Sequence, residues 1–250
     1  FKPDYAEAHN NLGVTLQNLG LMDEAVKSYE KAIAFKPDYA EAHNKLGNIF
    51  KELEQLDAAV KSYKKVIAIN PEYPEAHYNL GNTLRELGQL ETAIKSYEKV
   101  IAIKPDYAEA HFNLGNTLRE LGQLETAIKS YEKALAIKPD YAEVLNNLGN
   151  TLNELGQLDA AVKSFEKALA IKPDYVEAHN NLGSTLNDFG QLDAAVKSFE
   201  KAIEINPDYV EAHNNLGSIL NALGHLDVAI ECYEKAIAIN PDFSDAYYNL

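Results

Sequence analysis

The chain has 250 residues and a formal net charge of −15, with 38 Asp and Glu against 23 Lys and Arg. This acidic balance argues against nucleic-acid binding, which needs clustered basic side chains, and against adsorption to anionic membranes. No stretch approaches the roughly 18 apolar residues of a membrane span. The single cysteine, Cys232, excludes an intrachain disulfide. Since an acidic surface attracts neutral or basic partners, the composition predicts a partner of that character.

A pattern of 34 residues recurs along the whole sequence. Complete copies are residues 6–39, 40–73, 74–107, 108–141, 142–175, 176–209 and 210–243, and residues 244–250 are a partial copy. A fixed period of this length is typical of solenoid proteins, in which each unit packs mainly on its neighbours. We therefore predict a single repeat array over residues 1–250, without a second domain.

Each repeat predicts two helices, here called helix A and helix B. Before helix A, Pro37 stops the preceding helix, Asp38 is the predicted N-cap, and Glu41 completes a capping box. Apolar and small residues at repeat positions 3, 4, 7, 8, 11 and 14 form one face of helix A. Gly122 ends helix A in its repeat, and helix B begins near Leu124. A connection of about three residues makes the two helices antiparallel.

A glycine lies in the middle of every helix A, at repeat position 8. It costs about 1 kcal/mol relative to Ala there, so its recurrence needs a steric reason. The sequence predicts that this glycine faces the alanine at position 20 of helix B and lets the two helices approach closely. An aromatic residue at position 24 would fill the space alongside; Gly81, Ala93 and Tyr97 are one such set.

These positions resemble the tetratricopeptide repeat family. One repeat matches the family pattern at Leu114, Gly115, Ala127, Tyr131, Ala134 and Pro139. The resemblance implies an all-α fold, a right-handed α-solenoid of antiparallel helix pairs whose A helices line a concave groove. It also implies a scaffold that binds a peptide or protein segment in that groove, with no enzymatic activity. Position 4 departs from the family, because it is His in six repeats, and Glu54 replaces the glycine that ends helix A.

The stripe of helix A opposite its apolar face is rich in asparagine. Position 6 carries Asn79, Asn113, Asn147, Asn181 and Asn215, and position 9 carries Asn82 and Asn116. Asn is a mediocre helix former, so such a row needs an explanation. Its amides could pair with the backbone of an extended peptide, as the resemblance to the repeat domain of O-GlcNAc transferase implies. Alternatively, they could bond neighbouring helices and stabilise the superhelix.

The same stripe predicts one basic and aromatic patch. Among the position-2, -6, -9, -12 and -13 residues of the complete repeats, the only bases are Lys45, Lys51, Arg85 and Arg119, and they lie beside Tyr78 and Phe112 at position 5. The patch could anchor a side chain or a carboxylate of a bound peptide. The alternative is that Arg85 and Arg119 merely pair with neighbouring acids at position 13.

No motif predicts catalysis, a cofactor or a metal site. Six histidines share position 4: His9, His43, His77, His111, His179 and His213. Since successive A helices are expected about 10 Å apart, these side chains cannot converge on one ion, and we interpret them as packing residues. Cys232 has no distinctive base nearby in the sequence, so we do not expect a nucleophile.

Two other functions stay open. The array could be a targeting or oligomerisation module of a larger enzyme, such as a glycosyltransferase or a sulfotransferase. It could also associate head to tail, because neither terminal repeat shows a polar capping helix. The chain lacks an initiating Met and both ends fall inside the repeat pattern, so we expect a fragment. The compartment is unknown from the sequence, with the cytoplasm as the default expectation.

Overall fold

A computed structural model describes residues 5–250, which form fifteen α-helices and no strand. The helices are α1 (Ala6–Asn18), α2 (Met22–Phe35), α3 (Ala40–Glu52), α4 (Leu56–Ile69), α5 (Pro74–Glu86), α6 (Leu90–Ile103), α7 (Ala108–Glu120), α8 (Leu124–Ile137), α9 (Ala142–Glu154), α10 (Leu158–Ile171), α11 (Val176–Asp188), α12 (Leu192–Ile205), α13 (Val210–Ala222), α14 (Leu226–Ile239) and α15 (Ser244–Asn249). Odd-numbered helices are the predicted A helices and even-numbered helices the predicted B helices. The all-α prediction is confirmed.

The chain forms two compact units, Phe1–Ser130 and Tyr131–Leu250, and α8 runs from the first into the second. In the first unit each helix from α1 to α7 packs on the next, and α5 also contacts the A helices α3 and α7. The second unit repeats this arrangement from α9 to α15. Consecutive antiparallel helix pairs therefore pack as predicted for a solenoid, because each repeat contacts its neighbours. A single array over residues 1–250 stays a prediction.

The centre of each repeat is an aromatic side chain from helix B. Tyr29, Tyr63 and Tyr97 are completely buried in the first unit, and Phe165 and Phe199 are buried in the second. Small alanines surround these rings, for example Ala59 and Ala93 beside Tyr63 and Tyr97. Burying such a ring removes a large apolar area from water, so these residues dominate the packing of each helix pair.

The nearest neighbour of the mid-helix glycine is the aromatic ring of position 24. A Cβ at Gly81 would lie 2.7 Å from Cε1 of Tyr97, and one at Gly149 would lie 2.7 Å from Cε1 of Phe165. The alanine of position 20, which the sequence predicted to face the glycine, is not among the three nearest atoms. The ring packs against the glycine because no side chain is present there, which explains why the cost of Gly inside a helix is tolerated.

The turn from helix A to helix B requires a left-handed backbone conformation. Gly88 has φ 71° at this position, and the other turn glycines of the described chain have similar positive values. Glu54 occupies the same place with φ 58°. No atom lies within 4 Å of a Cβ placed at Gly88, so the glycine is needed for its backbone and not for space.

The turn from helix B to helix A contradicts the predicted capping box. The N-cap of α3 is Tyr39, which makes no side-chain capping bond, and Asp38 lies before it. The Tyr39 N–H donates to the Lys36 carbonyl at 3.0 Å, so Pro37 and Asp38 form the centre of a β-turn. Pro is favoured at this turn position, and the N-cap lies one residue later than predicted. The Lys36 ammonium covers the Tyr39 ring at 4.8 Å.

The position-4 histidines close this turn. His43 Nε2 lies 3.0 Å from the carbonyl oxygen of Pro37, and His77 Nε2 lies 2.8 Å from that of Pro71. The same bond recurs at His111, His179 and His213. A carbonyl only accepts, so Nε2 carries the hydrogen and donates it. The interpretation as packing residues missed this bond, which ties helix A to the turn before it.

Every helix in residues 5–250 is shorter than a membrane span. The longest have 14 residues, whereas about 20 apolar residues are needed to cross a bilayer, and none of them is apolar enough.

Candidate functional site

The predicted site residues lie on one face of the A helices, here called the A-helix face. Lys45 and Lys51 lie on α3; Tyr78, Asn79, Asn82 and Arg85 on α5; Phe112, Asn113, Asn116 and Arg119 on α7; and Asn147, Asn181 and Asn215 on α9, α11 and α13. The 3.6-residue helical period places positions 2, 5, 6, 9, 12 and 13 on this face.

In the first unit the asparagines link neighbouring A helices. Asn79 Nδ2 donates to Asn48 Oδ1 at 3.2 Å. Asn113 Nδ2 donates to Asn82 Oδ1 at 3.0 Å and to the Tyr78 hydroxyl at 2.9 Å. Each bond joins position 6 of one repeat to position 9 or position 5 of the repeat before it. The stabilising role is therefore present in the structure.

In the second unit the donor is again the position-6 amide nitrogen, but the acceptor is at a different repeat position. Asn181 Nδ2 donates to Asn146 Oδ1, and Asn215 Nδ2 donates to Asn180 Oδ1, both at 3.1 Å. These acceptors are at position 5, which is aromatic at Tyr78 in the first unit. Asn147 Oδ1 accepts a bond from Asn146 Nδ2 at 3.3 Å.

In the first unit, helix B orients the position-9 amide through the residue at position 24. Tyr63 and Tyr97 donate from their hydroxyls to Asn48 Oδ1 and Asn82 Oδ1, both at 2.8 Å. Each hydroxyl therefore holds the position-9 amide with its oxygen towards the next A helix. Phe165 has no hydroxyl, so nothing on helix B orients the amide of Asn150 in this way.

The position-6 oxygens are not used by these bonds. The Oδ1 atoms of Asn79, Asn113, Asn181 and Asn215 accept no hydrogen bond from any residue in 5–250, and all four side chains are partly exposed. Asn82 differs, because its Oδ1 already accepts two bonds. The A-helix face thus offers a row of amide oxygens, while the amide nitrogens mainly hold the helices together.

Two of the predicted bases pair with acids of the next repeat. Lys51 Nζ lies 2.8 Å from Glu86 Oε1, and Arg85 contacts Glu120 Oε1 through Nη2 at 2.6 Å and Nε at 2.9 Å. These pairs join position 12 of one repeat to position 13 of the following repeat, as the alternative interpretation predicted for Arg85. Because their charges are compensated, Lys51 and Arg85 attract an anionic ligand less strongly.

The two predicted aromatic anchors are packed within the protein. Phe112 is 6% exposed. The Tyr78 ring stacks on Tyr107 with centroids 5.1 Å apart and meets Tyr97 edge-on at 6.2 Å. Most of each ring is therefore already covered, which leaves little apolar surface for a ligand.

A polar cavity opens on this face in the first unit, here called the α3–α5–α7 cavity. Its volume is about 390 Å³, and its walls are Lys51, Asn82, Arg85, Glu86, Asn113 and Glu120. Three successive A helices contribute to it. Its lining of amides and ion pairs suits a polar main chain better than an apolar side chain.

The second unit has a smaller opening, here called the α11–α13 cavity. Its volume is about 360 Å³, and it is lined by Ser184, Asn187, Asp188, Phe199, Asn215 and Ser218, with Ile219 and Ala222 closing it. The position-6 residue Asn215 thus borders a cavity, as Asn113 does in the first unit.

Two kinds of candidate site remain, the Cys232 thiol and the side chains that could bind a metal ion. Burial, and secondarily the charge of Glu231, raise the pKa of the half-buried Cys232 thiol, which disfavours the reactive thiolate. Within residues 5–250, no three His, Cys, Asp or Glu side chains are grouped so as to hold a metal ion.

Comparison with known proteins explains the repeated geometry. The family described as "TPR repeat" matches residues 22–54, 47–84, 81–118, 115–155, 149–186, 184–224 and 217–250, and the family described as "Tetratricopeptide repeat" matches residues 6–36. The chain belongs to the tetratricopeptide repeat family. The family predicted from the residues is confirmed. The chain has no match among curated proteins.

Solved structures of this family are similar to the chain. The crystal structure of MamA is 30% identical, with a TM-score of 0.63, and covers 65% of this chain and 95% of its own. YrrB, described as a TPR protein with an unusual peptide-binding site, is 27% identical with a TM-score of 0.62, covering 76% and 97%. The C-terminal part of a TPR repeat-containing protein from Cytophaga hutchinsonii has a TM-score of 0.76 and 20% identity over 96% and 98%, which shows the common fold.

Proposed function

We propose that this chain is a protein-interaction scaffold whose A-helix face binds a polypeptide segment in extended form. Membership of the tetratricopeptide repeat family and the similarity to YrrB, a peptide-binding member by its description, support a scaffold role.

The row of amide oxygens carries the proposal. Asn79 and Asn113 present partly exposed Oδ1 atoms from the same position of successive A helices. An extended peptide offers a row of N–H donors and advances about 3.3 Å per residue. Since neighbouring helices pack roughly 10 Å apart, successive oxygens match about every third residue of such a peptide.

The shape and polarity of the α3–α5–α7 cavity agree with this binding mode. Amides and ion pairs line it, and it lies beside the oxygen of Asn113. The cavity could hold a polar side chain of the peptide without burying much apolar surface. The acidic chain, at −15, favours neutral or basic segments over acidic ones.

A peptide library tests the proposal. The immobilised chain selects from a random library of extended nonapeptides, and calorimetry measures the dissociation constant of an enriched peptide for each variant. In Asn79→Ala with Asn113→Ala, binding should weaken by about 1–3 kcal/mol, because two acceptors are lost. The matched control is Asn48→Ala, which removes the same Asn79 inter-helix bond but keeps the Asn79 oxygen.

The control should bind within about 0.5 kcal/mol of the original chain. If Asn48→Ala weakens binding as much as the double variant, the asparagines act only by holding the helices. Failure to enrich any peptide, or unchanged affinity in the double variant, would reject the proposal.

A further inference from the structure

One acid of the second unit lacks the partner that its equivalents have. In the first unit, position 13 of a repeat is contacted by position 12 of the repeat before: Gln17 with Glu52 at 3.5 Å, Lys51 with Glu86, and Arg85 with Glu120. In the second unit the corresponding residues are Asn153 and Asp188. Asn153 carries no charge, and Asp188 makes no ion pair with any residue in 5–250.

Asp188 borders the α11–α13 cavity, whose lining differs in chemistry from the α3–α5–α7 cavity. Phe199 replaces the tyrosine of position 24, and Ser184 replaces the asparagine of position 9. In the first unit a tyrosine hydroxyl and an asparagine amide at these positions bond each other, as Tyr97 and Asn82 do. The α11–α13 cavity also has no basic residue in its lining, whereas Lys51 and Arg85 line the α3–α5–α7 cavity.

We propose that the α11–α13 cavity is a subsite for a cationic side chain, Arg or Lys, of a bound polypeptide, with the Asp188 carboxylate as its counter-ion. The proposal rests on the proposed function and specifies the ligand class for the A helices of the second unit. The Asn215 oxygen, which accepts no bond from residues 5–250, and the hydroxyl oxygen of Ser184 offer acceptors. A guanidinium carries five donors that need such partners.

The residues that line the α11–α13 cavity disfavour acidic and apolar side chains. An acidic side chain would be repelled by Asp188, whose charge no basic residue of the described chain compensates in an ion pair. An apolar side chain would strip water from the carboxylate and give no hydrogen bond in return.

The first variant removes the carboxylate. The full chain is titrated at low ionic strength with N-acetyl-L-arginine methylamide and, separately, with the same derivative of citrulline, which has the shape of arginine without its charge. NMR follows the side-chain amide signals of Asn187 and Asn215. Arginine should bind roughly fivefold more tightly than citrulline, and Asp188→Asn should abolish that difference.

The second variant keeps the carboxylate and supplies an internal partner. Asn153→Arg places an arginine 35 residues before Asp188, the same relation as Arg85 to Glu120. It should remove the arginine preference as Asp188→Asn does. The control is Glu72→Gln, which removes an acid that is paired with Lys99 in the turn before α5, outside both cavities, and it should leave the preference at Asn215 unchanged.

Equal binding of the two probes, no shift of either amide signal, or an intact preference in Asp188→Asn would overturn the subsite. These results do not depend on the peptide library. Enriched peptides combined with equal probe binding would retain the scaffold and reject the subsite. Arginine-selective binding without any enriched peptide would retain the cation site and reject the scaffold.

Discussion

At the scale of single residues, the packing of this protein depends on pairs of a glycine and an aromatic ring. The glycine in the middle of an A helix leaves the space into which the ring of helix B fits, as at Gly47 with Tyr63 and Gly183 with Phe199. The rings are almost completely buried, so they cannot move aside. A single methyl group at the glycine therefore tests the packing directly.

Gly81→Ala should destabilise the fold by about 1–3 kcal/mol, because the new Cβ would lie 2.7 Å from the Tyr97 ring. Urea unfolding measures the change in the free energy of unfolding. The cost should be much smaller in a Tyr97→Leu background, where the ring is absent. An equal cost in both backgrounds would show that the ring is not the reason for the glycine.

At the scale of helices and turns, one residue is strained. Glu54 adopts the left-handed conformation that glycine adopts at the end of other A helices, and no side-chain capping bond is associated with that turn. For a residue with a Cβ this conformation costs about 1–2 kcal/mol. Repeat two therefore tolerates a strained turn that the other repeats avoid.

Glu54→Gly should stabilise the protein by about 1 kcal/mol, because glycine relieves this strain. Glu54→Ala is the control, since it removes the carboxylate but keeps the Cβ. Urea unfolding of the three proteins checks the prediction. If alanine gave as much stability as glycine, the side chain and not the backbone would be responsible.

The helices themselves could be predicted because they follow from periodicity, whereas several contacts could not. The apolar spacing placed helix A and helix B within one or two residues, and Gly88 and its equivalents marked the ends of the A helices. The N-cap was misplaced because Asp38 fits a turn centre as well as a cap. Choosing between Asn48 and Asn44 as the partner of Asn79 needs distances across repeats, which no spacing supplies.

The sequence predicts where the asparagines lie on the A helices better than which atoms they contact. The stripe of asparagines is visible from the helical period, and its residues share one face. The sequence could not show that the amide nitrogens bond the previous repeat while the oxygens remain available. A signal was present in the pairing of Tyr63 with Asn48 and of Tyr97 with Asn82, since a buried hydroxyl needs an acceptor.

At the scale of the whole molecule, buried phenols make stability sensitive to alkaline pH. Burial raises the pKa of Tyr29 to about 12, with a further contribution from Glu41, and burial also raises the pKa values of Tyr63 and Tyr97. In the unfolded chain a tyrosine has a pKa of about 10. The folded state therefore favours the neutral phenol. This contribution is complete below about pH 10 and is lost as the pH rises towards the folded-state pKa.

The free energy of unfolding should fall steeply from about pH 10 to pH 12. Urea unfolding over this range measures the slope, and Tyr63→Phe should make it shallower because one buried ionisable group is gone. That variant also loses its bond to Asn48, so its stability at pH 8 should be lower by about 1 kcal/mol. An unchanged slope in Tyr63→Phe would contradict the assignment to buried phenols.

The bonds between A helices also affect how the number of repeats in such a chain can change during evolution. Each one joins a position of one repeat to a fixed position of the next, as Arg85 is joined to Glu120 and Asn215 to Asn180. Gene duplication or loss of one complete 34-residue unit keeps both members of every such pair in register. Unequal recombination can therefore lengthen or shorten the chain without new compensating mutations, provided that the joined repeats use the same acceptor position.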